Sequence, residues 1–196
     1  MDEKEKNLEI INKFQKEIIL LGQIGGLMGW DQQTYMPKQA AQSRAEQDAL
    51  ISSLIHEKMT DETFFQTIKN LKKETLDKRN DTLVKKIYKE LMKSRTLPTA
   101  FVQELSKTTS LSFNAWLEAR EKNDFKIFQP HLEKVIALKQ KEAKYLNSFL
   151  QCENSYDALL DNYEEGMTTK QLKPFFQDLK KGLFVLLTKI KNSKKY

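Results

Sequence analysis

Apolar residues recur at every third or fourth position along most of this chain, which is the spacing of amphipathic α-helices. The first such segment predicts one long helix that continues towards Met28. Its apolar positions are Leu8, Ile11, Phe14, Ile18 and Leu21. A group of glycines follows on neighbouring turns, at Gly22, Gly25, Gly26 and Gly29. Because glycine weakens a helix interior, this group predicts either the close approach of another backbone or the end of the helix.

The same pattern predicts further helices separated by polar turns. One turn is expected at residues 30–38, WDQQTYMPK, since Pro37 stops a helix. The later helices are expected at 39–57, from an N-cap at Thr60, at 82–95 and at 100–121. Asn123-Asp124 is expected to cap another start, and further helices are expected from Pro130 to Leu150 and from a cap at Thr168 or Thr169. Gly166 is expected to stop a short helical turn within 155–169. Since no hairpin signal occurs, the prediction is an all-α, bundle-like domain over residues 1–196.

Composition narrows the class of protein. The single cysteine, Cys152, excludes an internal disulfide and fits a reducing compartment. The opening MDEKEKN has mixed charge and lacks the basic start of a signal peptide. The most apolar run, residues 18–30, is too short to span a bilayer. We therefore expect a cytoplasmic protein that does not bind a membrane.

The net charge of +6 comes from the end of the chain. After Asp178 the sequence has no acidic residue, and its lysines there are Lys180, Lys181, Lys189, Lys191, Lys194 and Lys195. These lysines account for the whole net charge, so residues 1–179 are neutral overall. Lysines at the end of a helix suit its dipole. No aromatic residue lies among those from Lys189 onward until Tyr196, so no nucleic-acid partner is expected.

The stretch IHEKMTD, residues 55–61, begins like the zinc-peptidase motif H-E-x-x-H. That motif works because histidines four residues apart lie on one helix face and both reach the metal. Here the second position is Thr60, and neither His131 nor Cys152 lies nearby in the sequence. We therefore interpret His56 as a structural histidine near a helix C-terminus and predict no metal ligand in this chain.

Asp157 and Asp161 lie four residues apart, and Glu164 and Glu165 follow them. Paired carboxylates can do acid–base work when their environments separate the two pKa values. No partner base or nucleophile accompanies them, so a cap and a solvated helix face are the favoured interpretation. The tryptophans, Trp30 and Trp116, are interpreted as core anchors. These residues alone predict a helical module with no catalytic residue.

Three stretches together resemble the N-terminal part of the carboxypeptidase Taq family of zinc metallocarboxypeptidases. They are WDQQTYMPKQAAQSRAEQDALISSLIHEKMTDE, NDFKIFQPHLEKVIALKQKEAKYL and YDALLDNYEEGMTTKQLKPFFQDLKKGL, at residues 30–62, 123–146 and 156–183. The resemblance covers essentially the whole chain. One departure is Glu165, which stands where the family has proline in Y-E-P-G and affects only a local turn.

The resemblance implies a mostly helical, cytoplasmic and homodimeric enzyme more than twice this length. It would remove residues from peptide C-termini with broad preference. It implies zinc or cobalt, held by H-E-x-x-H and a later glutamate, with the motif glutamate as general base. It also implies that the N-terminal helices form the walls of a deep groove leading to the metal.

No catalytic or metal-binding residue of the family has a matching position in this sequence. The chain is therefore expected to be a fragment that is inactive by itself and binds no metal. Residues expected in structural or groove-wall roles are Trp30, Asp31, Met36, Pro37, Tyr156, Asp157, Asp161, Tyr163 and Gly166. Two alternatives stay open: a stand-alone, non-enzymatic helical interaction module, and part of a related oligoendopeptidase-type zinc peptidase.

Overall fold

The structure is a computed structural model that describes residues 3–193, so the expectations for Lys194, Lys195 and Tyr196 lie outside the described residues. The described range is helical and contains no strand. Its helices are α1 Glu3–Thr34, α2 Ala41–Thr60, α3 Glu62–Leu71, α4 Lys78–Arg95, α5 Thr99–Lys122, α6 Phe125–Leu150, α7 Ser155–Leu160 and α8 Thr169–Lys191. A 3-10 turn, Lys38–Ala40, precedes α2. The predicted all-α fold is confirmed.

The main core lies between α1, α3 and α4. Its buried members are Ile11, Phe64, Ile68, Leu71, Val84, Ile87 and Leu91. The ring of Phe14 stacks on that of Phe64, with centroids 4.7 Å apart. These positions recur at helical spacing on each segment, so each helix presents one apolar face to the others.

A second layer is formed by α2, α5 and α6, with α2 packed on α5 and α5 on α6. Short side chains are buried on both helices, Ala45 and Ser53 on α2 and Ser110 on α5. The Ser52 hydroxyl donates to Ser106 Oγ at 2.8 Å across this contact. Short side chains therefore let these two helices approach closely.

Helix α1 runs without a break through all four glycines, so the alternatives of a helix end or a close backbone approach are both wrong there. A Cβ added at Gly25 would meet only the Ile51 side chain at 3.6 Å, and the other three glycines face open space within 4 Å. The polar turn is also shorter than predicted, since Trp30 and Asp31 lie in the last turns of α1.

Three predicted helix starts are wrong. Asp61 rather than Thr60 caps α3, because its carboxylate accepts the Phe64 N–H at 2.8 Å. The cap predicted at Asn123-Asp124 is confirmed, because Asp124 caps α6, which begins at Phe125. The start predicted at Pro130 is wrong, since Pro130 lies inside α6. As the sixth residue of α6, Pro130 lacks the N–H that would donate to the Lys126 carbonyl, so α6 continues through it with one hydrogen bond fewer. Helix α4 also begins earlier than predicted, behind the cap Asp77.

The residues predicted to end the helical turn before α8 and to cap the start of α8 are confirmed. Gly166 has φ +78°, which is the left-handed region that favours glycine. Thr168 caps α8 in a capping box with Gln171. None of the helices in residues 3–193 combines the length and the apolar character of a membrane span.

Candidate functional site

The first group of predicted site residues lies at the end of α1. The Asp31 carboxylate pairs with Arg44 Nη2 on α2 at 2.6 Å, and Arg44 Nη1 also donates to the Met28 carbonyl. Gln32 Nε2 donates to Ser110 Oγ on α5 at 3.2 Å. The end of α1 is therefore tied to both α2 and α5.

The Trp30 side chain is 55% exposed, so its interpretation as a core anchor is wrong. Its ring meets that of Tyr35 edge-on at 5.4 Å, and Tyr35 is 75% exposed. Trp116 is likewise 41% exposed and is not a core anchor. Exposed aromatic rings suit binding to another surface better than they suit a core.

Met36 and Pro37 form the turn that follows. The Met36 N–H donates to the Asp31 carbonyl at 2.9 Å, and the Pro37 carbonyl accepts from Ala40 N–H at 2.9 Å. Met36 is half-buried and Pro37 is exposed. Both residues shape the turn into α2.

The second group lies around α7 and the loop that leads to α8. Asp157 is buried, and its Oδ1 accepts the Thr169 N–H at 2.9 Å. Thr169 is the first residue of α8, so this carboxylate satisfies a helix N-terminal donor and suits the helix dipole. Asp157 thereby joins α7 to the start of α8.

Asp161 is the centre of an ion-pair cluster with α4. Its Oδ1 accepts from Lys89 Nζ at 2.7 Å and from Gly166 N–H at 3.0 Å. Its Oδ2 lies 3.3 Å from Lys93 Nζ and has no hydrogen-bond donor among the described residues. The side chains of Asp161 and Lys93 are both 7% exposed. Glu165 extends the cluster, with Oε1 3.1 Å from Lys89 Nζ.

Burial raises the pKa of the Asp161 carboxyl, but its hydrogen bonds and the two ammonium charges more than offset burial and hold that pKa below its usual range. Burial likewise raises the pKa of the Cys152 thiol, assisted by the charges of Asp157 and Asp161. A thiol of this kind is a poor nucleophile. The cluster is therefore built to hold a carboxylate ionised, which suits a structural clamp.

The predicted solvated face is wrong for Asp157 and Asp161, which are both buried, while the predicted role as a cap is right for Asp157. Every carboxylate oxygen described above except Asp161 Oδ2 already accepts a hydrogen bond. Beside them, Tyr156 and Tyr163 are 57% and 86% exposed. They line a shallow cleft of about 320 Å³ with Leu159 and Leu160.

His56 is buried between α4 and α5 and is fully engaged. Its Nε2 donates to the Ser94 carbonyl at 3.0 Å, and its Nδ1 lies 3.1 Å from the Thr99 hydroxyl. Thr60 donates its hydroxyl to the His56 carbonyl at 2.8 Å. Among residues 3–193, no three His, Cys, Asp or Glu side chains are grouped to hold a metal ion. The contacts of His56 with Ser94 and Thr99 therefore join α2 to α4 and α5.

The sequence interpretation missed Arg44, Lys89 and Lys93 as partners of the two groups. Lys89 and Lys93 lie four residues apart and so share one face of α4. That spacing predicts that the two lysines point in the same direction. It does not predict that they face Asp161, which lies 72 positions after Lys89 and 68 after Lys93.

The acid stability of the protein is predicted to depend on Asp161. Its pKa is lower in the folded than in the unfolded state, so its contribution is complete above the unfolded value of about 4 and is lost as the pH falls through the folded value. Urea unfolding between neutral and acid pH should show a steeper loss of stability in the wild type than in Asp161→Asn. Asp178→Asn, which removes an exposed carboxylate, is the control and should keep the wild-type slope.

The sequence is similar to that of known carboxypeptidases. A family model described as Carboxypeptidase Taq (M32) metallopeptidase matches residues 10–196. Thermostable carboxypeptidase 1 of Pyrococcus furiosus is 36% identical over 183 residues, which are 93% of this chain and 36% of that protein. Thermostable carboxypeptidase 1 of Thermus thermophilus is 34% identical over 193 residues, covering 93% of this chain and 38% of that protein.

Solved structures agree with these matches. A Pyrococcus furiosus carboxypeptidase structure superposes with a TM-score of 0.78 and 34% identity, over 98% of this chain and 38% of the other. The structure titled BsuCP gives a TM-score of 0.88 at 29% identity, over 96% and 37%. Trypanosoma cruzi metallocarboxypeptidase 1 gives 0.79 at 26%, over 97% and 38%. This chain thus spans well under half the length of the relatives it matches.

Proposed function

Because this chain belongs to the carboxypeptidase Taq (M32) family of metallopeptidases, we propose that it forms the N-terminal helical part of a metal-dependent carboxypeptidase. The observation that carries the proposal is the family match over residues 10–196. The fold agrees with it, since the helices superpose on a solved relative with a TM-score of 0.88. The same family match favours this function over an oligoendopeptidase.

The family implies a metal, and the described residues do not fit one. No three potential ligands are grouped in residues 3–193, and both ring nitrogens of His56 are engaged. The sequence contains no H-E-x-x-H motif. We therefore assign no catalytic step to residues of this chain and propose that zinc or cobalt is held by other parts of the enzyme.

The proposed role of this chain is to form a single helical domain that walls the peptide groove. Exposed Trp30 and Tyr163 would meet a peptide or another surface. Partly exposed Asp31 and the buried carboxylates of Asp157 and Asp161 would hold the segments that carry them. Broad specificity, a homodimer of the whole enzyme, a cytoplasmic location and the absence of nucleic-acid or membrane partners belong to the same proposal.

A chimera with a relative tests the function. Residues 10–193 would replace the matching part of carboxypeptidase 1 of Bacillus subtilis, which is 32% identical to this chain. We expect the chimera to bind metal and release C-terminal residues from peptides, because the domain restores the groove wall. The isolated chain should release none and should bind far less than one zinc equivalent by elemental analysis.

The control in the isolated chain is His56→Gln, which removes the only buried histidine of the described residues and should leave the zinc content unchanged. A chimera that folds and binds metal but releases no residue would favour the non-enzymatic module. One zinc per isolated chain would contradict the proposed division of roles.

A further inference from the structure

Helix α8 carries an apolar seam that no described residue covers. Its side chains recur at alternating spacings of four and three residues, at Leu172, Phe176, Leu179, Leu183, Leu186 and Ile190. The last five of these are between 46% and 55% exposed, and α8 contains no buried residue. The alternation of four and three is the heptad spacing that keeps one line of side chains facing a partner helix.

The seam lines two adjoining grooves. One, of about 580 Å³, lies between α7 and α8 and is bordered by Tyr156, Leu160 and Leu172. The other, of about 400 Å³, runs along α8 past Leu179 and Leu183. Phe176 and Lys180 border both grooves, so the apolar surface is continuous from α7 along α8. Continuous exposed apolar surface of this kind marks an interaction site.

Positive charge flanks the seam on both sides. Lys173 and Lys180 lie directly after seam residues on one side, and Lys189 lies directly before Ile190 on the other. These are the positions whose charges select the partner in a helix pair. The only acidic residue of α8 is Asp178, which lies off the seam and pairs with Lys181 at 3.0 Å.

The charges argue against a second copy of α8 as the occupant. In an antiparallel pair of α8 helices in which the two copies of Lys180 meet, like charges would face each other beside the seam, which is unfavourable. In a parallel pair Lys180 would face Phe175, so a second copy supplies no acidic residue beside the seam in either orientation. The placement of the apolar side chains on α8 also distinguishes the seam from a lipid-binding face. Four further apolar side chains of α8 are exposed, Phe175, Phe184, Val185 and Leu187. Of these, Phe184 and Val185 lie on different sides of the seam, and one flat lipid surface would not cover both.

We propose that the α8 seam docks an amphipathic α-helix with acidic flanks, contributed by the part of the family fold that this chain does not span. The relatives supply that length, since this chain covers 36–38% of the first two. The helix packs at about 20° to α8, as seams of this spacing do. The source of the helix rests on the proposed function, whereas the chemistry of the seam does not.

Synthetic helical peptides test the chemistry of the seam. Two peptides share a leucine seam and differ in flanking residues, which are glutamates in one and lysines in the other. The isolated chain should bind the acidic peptide at least tenfold more tightly, and added salt should narrow that ratio. The triple variant Lys173→Glu, Lys180→Glu, Lys189→Glu should reverse the preference.

Substitutions in α8 separate the seam from the rest of the helix. Leu179→Asp and Leu183→Asp should abolish binding of the acidic peptide, while Val185→Asp, at an exposed position off the seam, should keep it. Circular dichroism checks that each variant stays helical. Equal affinity for the two peptides, or no binding of either, would overturn the proposal.

Three further measurements identify the source of the occupant. The acidic peptide should not bind the Bacillus chimera, because the seam is covered there. Binding to the chimera would assign the helix to a separate protein and overturn the proposed source.

Anionic vesicles that compete with the peptide would favour a lipid surface, and a dimer that the peptide does not disrupt would favour a second copy. An inactive chimera, together with an isolated chain that still binds the acidic peptide, would count against the proposed function and leave the seam chemistry intact.

Discussion

Replacing Phe64 with alanine is expected to lower the free energy of unfolding by about 4 kcal/mol, which is typical for truncating a large buried aromatic side chain. Phe64 is fully buried at the centre of the core between α1, α3 and α4. Its ring stacks on Phe14 with an interplanar angle of 2°, so the substitution removes both buried area and an aromatic pair. The cavity would lie where three helices meet.

Urea unfolding at neutral pH, followed by circular dichroism, measures this loss. The matched control is Phe184→Ala, since Phe184 is 70% exposed and its truncation leaves no cavity. The control should unfold at nearly the wild-type midpoint. Similar losses for the two variants would mean that α3 does not form the core described here.

Replacing Asp161 with asparagine is expected to cost about 3 kcal/mol of unfolding free energy, because it leaves buried Lys93 without its closest carboxylate. The loss stays near the low end of the range for buried pairs, since Lys93 keeps Glu90 at 3.5 Å and Lys89 keeps Glu165 at 3.1 Å. The same substitution should increase hydrogen exchange at the Gly166 amide, which donates to the Asp161 carboxylate.

A double-mutant cycle isolates the pair. Lys93→Met in the Asp161→Asn background should recover much of the loss, since it removes the unpaired buried charge. Glu118→Gln, which breaks an exposed pair with Lys122, is the control and should not change stability measurably. Additive losses in the Asp161–Lys93 cycle would show that the two side chains do not interact.

Helix boundaries followed from the sequence where a cap and a stop both lay beside a periodic segment. Thr168 and Gly166 around the start of α8 are such signals, and the structure confirms both. The start predicted at Pro130 was wrong because α6 already begins at Phe125 and continues through the proline. The cap of α3 was wrongly predicted at Thr60 because two neighbouring residues, Thr60 and Asp61, could both cap the helix, and Asp61 does so.

The candidate site was predicted only as a set of positions. Local spacing placed Asp157 and Asp161 on one short segment, but it could not identify Lys89, Lys93 or Thr169 as their partners. Those contacts join residues far apart in the sequence. The choice of tryptophans as core anchors failed for the same reason, since Trp30 is large and apolar yet lies on an exposed face.

The sequence by itself determined the helical class of this protein, most of its helices and its family, because periodicity, caps and motif blocks are local properties of the chain. Only the tertiary structure decided which helix faces are covered. It buries Lys93 beside Asp161 and leaves the apolar seam of α8 exposed, the reverse of what hydropathy alone suggests. The physical reason is that burial depends on which faces meet in space, and that depends on contacts between distant segments.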